Sequence, residues 1–349
     1  MNIHELKTIA KSVVGGLANR LNAFQFTCKG KVAILAYHRV VTPDDLNRMY
    51  IEPGMYVFRE AFETQVRWLL ERFEVLSFSQ LLARFKDNEW DDRKGYVVLT
   101  FDDGWLDNYR NAFPILRKYQ VPATIFLPTD YVGSNMWFWP ERLAFILNSL
   151  SRQQVTPAQR ESVRIMIASL PGMERAIATG QGGHTIFSIG VIIEAFKLLP
   201  PSEIECLIRK LSELLEVCIP DERLTVNWTE VTEMAMNGIS FGAHSCAHHL
   251  LTRLDERTLQ SEVRDCGHVL EGLQAGYVPV FCYPNGDNNP TIQRLVEKSS
   301  YAAAVGTRPG IEGRIPQNPY ELRRIGMHQD VTKTTPLLSL HLLRSGWGW

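Results

Sequence analysis

The sequence predicts an α/β fold whose parallel sheet closes, or nearly closes, into a barrel of about seven strands, interrupted by a helical insertion. Three observations predict it. Short apolar runs alternate with helical patterns along most of the chain, the rhythm of strand–helix–strand units. The polar residues able to do chemistry follow many different strands, which suits a barrel better than an open sheet. From 139 to about 218 the alternation gives way to helical, polar-faced patterns.

The elements follow in chain order. Residues 1–29 read as an amphipathic helix, with Ile3, Leu6, Ala10, Val13, Leu17, Leu21 and Phe24 at helical spacing. Such a helix docks on its own domain or, given Lys7, Lys11 and Arg20, lies on a membrane surface. A strand at 32–36 ends in Tyr37-His38-Arg39, and a loop rich in Pro, Asp and Asn follows. Phe62, Val66, Leu69, Leu70 and Phe73 share one face of a helix. A short strand at 74–76 precedes Ser79, read as the N-cap of a helix over 80–85. A buried strand at 96–101, a helix at 108–119 and a second buried strand at 121–127 come next.

The insertion spans about 136–225 and contains the glycine-rich stretch Gly180-Gln181-Gly182-Gly183. Alternation then resumes: helix 229–237, strand 239–241, helix 256–273, strand 278–283, helix 291–299, strand 302–305. The barrel domain is thus 30–335, and 336–349 is left as a C-terminal tail.

Bulk properties narrow the function classes. The 349 residues are 45% apolar and 21% charged, with net charge −1, so nothing points to nucleic acid. Six cysteines without CxxC pairs argue against a zinc knot or a disulfide framework and suit a reducing compartment. No apolar run reaches the ~18 residues of a membrane-spanning helix, and no signal peptide is evident. The expected place is the cytoplasm or the cytoplasmic membrane face.

Chemistry concentrates in two motifs. In Thr100-Phe101-Asp102-Asp103-Gly104 two adjacent carboxylates end a buried strand. Two neighbouring anions repel, and burying either unpaired costs several kcal/mol or shifts its pKa; a metal ion resolves the conflict. His244-Ser245-Cys246-Ala247-His248 supplies two imidazoles four residues apart, again just after a strand. Two histidines and one aspartate leave a coordination position open, as in catalytic zinc sites. Zinc suits these ligands, and cobalt or another first-row ion fits too. The spare aspartate is then a general base. Spacing alone does not fix which is which; we assign Asp103 to the metal with His244 and His248, and Asp102 to the base.

These motifs, with Leu251-Thr252-Arg253-Leu254 after the second histidine and Tyr283-Pro284-Asn285-Gly286, resemble the polysaccharide deacetylases, the NodB-like carbohydrate esterases. Tyr37-His38-Arg39-Val40 and the 121–127 segment resemble the same family, over roughly 30–135 and 225–330. The resemblance implies a distorted (β/α)7-type barrel and metal-dependent removal of an N-acetyl group from an amino sugar in a polysaccharide or lipid-linked glycan. It gives Asp102 as the catalytic base and Asp103, His244 and His248 as metal ligands. The backbone N–H of Asn285 falls at the oxyanion position, and His328 is the match for the general acid. His38, Trp105, Tyr283 and Pro284 are candidates for substrate contact, with Trp137 and Trp139 as further sugar-stacking candidates.

The sequence also departs from the family pattern. Many members carry an arginine two residues before the motif proline, orienting the catalytic aspartate; here that position is Cys282, and Arg323 or Arg324 is a candidate substitute. The usual aspartate–tryptophan motif is absent. Two other readings therefore stand beside the leading one: an O-acetyl esterase or non-sugar amidase on the same scaffold, and an inactive glycan-binding barrel.

Overall fold

The computed structural model describes residues 3–21, 23–151, 155–170, 173, 177–179, 185–273 and 275–346. The chain forms two compact units. The larger is built from Met1–Pro43, Pro53–Ser134 and Leu224–Trp349, the smaller from Asp44–Glu52 and Asn135–Arg223.

In chain order the strands are β1 (Val32–Tyr37), β2 (Arg39–Val41), β3 (Tyr56–Phe58), β4 (Glu74–Val75), β5 (Tyr96–Phe101) and β6 (Ala123–Leu127). Then come β7 (Ile177–Thr179), β8 (Thr185–Phe187), β9 (Ile239–Ala243), β10 (Tyr277–Cys282), β11 (Ala303–Val305) and β12 (Ile325–Gly326). The main sheet is parallel, in the order β11-β10-β9-β6-β5-β1-β12, with β4 added on β5. Its ends meet in one segment: Leu322 bonds through its backbone to Ala304 and Gly306 at β11, and three residues later β12 pairs with β1. Seven strands in the path agree with the expected barrel.

Strands β1, β5 and β6 are buried along their whole length, as a parallel sheet covered on both faces requires. The two-residue alternation sorts their side chains into two cores. Val32, Ile34, Tyr96, Val98, Phe126, Val280 and Leu322 fall in one. Ala33, Leu35, Tyr37, Val97, Leu99, Phe101 and Ile125 fall in the other, with residues of the surrounding helices such as Phe62, Val66, Val263 and Val296.

Several local expectations change. The helix Phe78–Asp87 is capped by Ser77, not Ser79, because Ser77 and Gln80 close a reciprocal capping box. The helix expected over 108–119 opens with a π turn, Asn108–Ala112, before Phe113–Tyr119. Within that turn Asn108 and Asn111 donate from their amides to the carbonyls of His38 and Val40. The segment read as a tail carries the helix Thr335–Gly346, whose Leu338 and Leu342 are buried in the core.

The smaller unit is largely helical: Trp139–Asn148, Pro157–Ala168, Ile189–Phe196 and Pro201–Leu215 share a core of Leu143, Ile146, Val163, Ile192, Phe196 and Leu211. It also holds the β7–β8 hairpin and takes in Asp44–Glu52, which the sequence reading left as loop. The glycine-rich stretch 180–183 lies outside the described residues.

Candidate active site

Sheet register gathers the chemistry at one rim. Tyr37 pairs with Phe101, Ala36 with Gly326, and Ala243 with both Leu127 and Phe281. The residues that follow these positions, His38, Asp102, Asp103, His244, Cys282 and His328, emerge at the C-terminal ends of the strands, where parallel α/β folds build their sites.

Alternation along β5 divides the aspartates. Tyr96 and Val98 lie in one core, and Thr100 and Asp102 continue that parity as buried polar groups. Arg324, also buried, meets Asp102 in a two-pronged ion pair: Nη1 donates to Oδ1 and Nη2 to Oδ2, each at 2.7 Å. Nη1 also donates to Thr100 Oγ1 (3.1 Å), Nε to the Gly306 carbonyl (2.8 Å) and Nη2 to Cys282 Sγ (3.3 Å). Each N–H of the guanidinium thus has an acceptor. Burial by itself would raise the Asp102 pKa, but the charge and hydrogen bonds of Arg324 outweigh it and hold the carboxyl below its usual range. His38 Nε2 stands 3.8 Å from Asp102 Oδ2.

Asp103 turns away from its neighbour. Its φ is 72° and that of Gly104 is 61°, both left-handed. A β-carbon at Gly104 would also come within 2.6 Å of Leu127 Cδ2, so this position requires glycine. Asp103 Oδ1 lies 3.2 Å from Nε2 of His244 and 3.2 Å from Nε2 of His248, while Oδ2 accepts from the Trp105 indole at 2.9 Å. Burial opposes ionisation here too, yet the hydrogen bonds from His244 and His248 pull the carboxyl well below the usual range.

The histidine loop is equally fixed. His244 Nδ1 is 2.7 Å from the Cys282 carbonyl, which can only accept, so Nδ1 carries a proton and Nε2, which donates to Asp103 here, is the nitrogen that would offer a lone pair to a metal once deprotonated. Ser245 and His248 both have left-handed φ, 61° and 55°. Buried Glu262, on the helix Glu256–Glu271, accepts from the backbone N–H groups of Cys246 and Ala247 at 2.9 Å each, and its other oxygen lies 3.2 Å from His249 Nδ1. Strained backbone of this kind costs about 1–3 kcal/mol per residue and persists where the surroundings over-determine it.

The donor set fits a divalent cation. One ligand atom from each of Asp103, His244 and His248 lies within 4.8 Å of the others. A second trio, Asp102, His244 and Cys282, is as close, but the Arg324 cation already occupies Asp102 and Cys282. Burial moreover pushes the Cys282 thiol up, away from the thiolate a metal needs.

Some of the other candidates are placed differently from expectation. Trp105 is buried and holds Asp103; its ring carries the Arg39 guanidinium at 4.5 Å, and Arg39 pairs with Asp107 at 2.8 Å. It has no free face for a sugar. Tyr283 and Pro284 are buried, with Tyr283 Oη donating to the Tyr320 carbonyl, so neither serves substrate contact. Trp137 is buried and donates to the Glu222 carbonyl, and Trp139 stacks on Phe196 at 6.2 Å; both pack within the smaller unit. Asn285 is exposed, with φ 55°, in the turn Pro284–Gly286 just after β10. His328 Nδ1 is buried with no hydrogen-bond partner, and burial keeps that imidazole below its usual pKa. His341, set aside in the sequence reading, comes within 6.1 Å of His328, ring to ring, and bonds the Gly326 carbonyl.

The sequence profile of the polysaccharide deacetylases matches residues 90–168 and 177–304, more than half of the chain. The chain belongs to the polysaccharide deacetylase family. It is a hydrolase of that type, with the NodB-like barrel. The profile enters the segment read as insertion and stops short of Arg324 and His328. The Bacillus subtilis protein YxkH is 22% identical over 296 residues, 84% of this chain and 71% of its own length. A poly-β-1,6-N-acetyl-D-glucosamine N-deacetylase of Staphylococcus epidermidis is 32% identical over 135 residues, 36% of this chain and 44% of that protein. The match thus spans less than half of the staphylococcal relative. Among solved structures, the Streptococcus pyogenes deacetylase PplD in complex with acetate superposes with TM-score 0.55 at 19% identity, covering 89% of this chain and 98% of its own. IcaB from Ammonifex degensii gives 0.53 at 15%, covering 90% and 97%. These two likenesses establish the fold.

Proposed function

We propose that this family member hydrolyses the N-acetyl group of an amino sugar in a glycan, with Asp103, His244 and His248 holding a divalent metal and Asp102 acting as base. The single observation that carries the reading is the division of the two aspartates: one faces two imidazoles, the other an arginine. When bound, a zinc or cobalt ion supplies Lewis acidity, polarising the acetyl carbonyl and making water easier to deprotonate.

The protein's own groups do the rest. Asp102, kept ionised by Arg324, takes a proton from the attacking water. The Asn285 backbone N–H, in its left-handed turn, is the candidate donor to the oxygen that gains charge. Burial disfavours the charged form of His328, so this imidazole first takes up the proton that it delivers to the departing amine. The C–N bond breaks, and acetate and a free amino sugar leave. His38, half-buried, is a further polar group beside Asp102. The names of the staphylococcal relatives favour N-acetylglucosamine polymers as the substrate class. The reading as an inert barrel rested on the missing arginine, and Arg324 removes that ground.

The test is acetate release from a panel of N-acetylated and O-acetylated glycans, with zinc or cobalt added and with a chelator. Release from N-acetylated sugars that the chelator abolishes supports the reading. Release confined to O-acetylated substrates moves the assignment to an esterase.

A further inference from the structure

The helix Ile3–Arg20 has two faces with different fates. One lies against the helix Thr335–Gly346: Gly15 is packed so closely on the Pro336 backbone that a β-carbon there would collide with its carbonyl oxygen, and Ala18 is buried. Asn19 accepts a hydrogen bond from the Trp68 indole at 2.7 Å. The helix is therefore held on the barrel unit by small residues and one polar contact.

The opposite face is apolar and uncovered. Val13 is 68% exposed, Val14 55%, Leu17 59% and Leu21 62%. Single exposed aliphatics are ordinary, but at 100° per residue these four fall on one stripe spanning about 100°. The pattern runs back in the sequence through Ala10, Leu6 and Ile3. Exposed Arg20 borders the stripe beside Val13, about 20° from it, and exposed Lys11 lies about 60° beyond Val14, toward the docked face. Within the first 31 residues, Lys7, Lys11, Arg20, Lys29 and Lys31 face one acid, Glu5, in a chain whose net charge is −1. No helix among the described residues is long and apolar enough to cross a membrane.

We infer that this helix lies flat on an anionic lipid surface, with Val13, Val14, Leu17 and Leu21 in the headgroup–acyl boundary and Lys11 and Arg20 at the phosphates. Charge decides the occupant. A second copy docked on the same stripe would set basic flanks against basic flanks, whereas anionic lipid complements them. The catalytic unit would then work at the membrane surface, whatever glycan it takes.

Flotation of the full-length protein with vesicles tests the proposal. Binding to vesicles of phosphatidylcholine containing about one-third phosphatidylglycerol should exceed binding to phosphatidylcholine alone by about tenfold and weaken as salt is raised. The triple variant Val13→Ser, Leu17→Ser, Leu21→Ser should lose binding while melting at an unchanged temperature, because all three side chains are exposed. Lys11→Gln with Arg20→Gln should abolish the preference for anionic vesicles. Wild-type protein that floats with neither vesicle overturns the proposal, as does a triple variant that binds as well as wild type. A wild-type dimer that the triple variant converts to monomer assigns the stripe to a second copy and overturns it equally.

Discussion

Asp102 and Arg324 depend on each other. A lone charge at either place would be buried without compensation, and breaking such a pair from one side costs about 3–5 kcal/mol. Arg324→Met should therefore lower stability by about that amount in a denaturant melt and cut kcat/KM at least about a hundredfold, as the base loses its charge and orientation. Cys282 offers the rescue. Its Sγ is 3.3 Å from Arg324 Nη2, so an arginine from position 282 reaches the same carboxylate. Cys282→Arg placed on Arg324→Met should regain about tenfold or more in kcat/KM; a folded but equally inactive double variant would count against the account. The same residues explain a limit of the sequence. The two aspartates and two histidines were legible because strand ends and short spacings announce them. The arginine was legible only as a pair of candidates, Arg323 or Arg324, because 222 positions separate Arg324 from Asp102 and only the closing of the barrel brings them together, while Arg323 turns to Glu312. Trp105 misled for a related reason: its type suits both a sugar platform and an indole donor, and burial alone decides between them.

At the scale of elements, the helix Glu256–Glu271 and the histidine loop form one device. Glu262 caps the N–H groups of Cys246 and Ala247 and so sets the path along which His248 reaches Asp103. Glu262→Gln keeps the shape but removes the charge and one acceptor. It should weaken zinc affinity about 10–100-fold, read by competition with a chelating dye, while the Asp102–Arg324 pair stays intact. Unchanged affinity would reduce Glu262 to a packing residue. Elements with strong local signals, such as the runs ending at Phe101 and Leu127, were visible in the sequence. Others were not. The helix Thr335–Gly346 lacks an acidic first turn, and its Leu338 and Leu342 acquire meaning only against the barrel core. The π turn at Asn108–Ala112 leaves no trace in hydrophobic spacing, since tertiary bonds from Asn108 and Asn111 to the β1–β2 connection and β2 accompany it.

Across the barrel unit, closure and catalysis share one stretch of chain. Leu322 bonds β11, Ile325 pairs with β1, and Arg324 lies between them inside the site. Whatever opens this seam withdraws the arginine from Asp102. Metal removal acts on the other aspartate. Zinc bound at about a hundredfold its Kd should stabilise the fold by about 2.7 kcal/mol, so a chelator should lower the melting temperature as well as abolish acetate release. All six cysteines are free, so a reductant should leave the melting temperature unchanged. The central claim is the division of labour between adjacent carboxylates, and one paired measurement reaches it most directly. Zinc stoichiometry and acetate release are measured on Asp102→Asn and Asp103→Asn side by side. The account predicts that Asp102→Asn binds one zinc and releases no acetate, while Asp103→Asn loses the zinc itself. Full acetate release by Asp102→Asn, or undiminished zinc in Asp103→Asn, would contradict it.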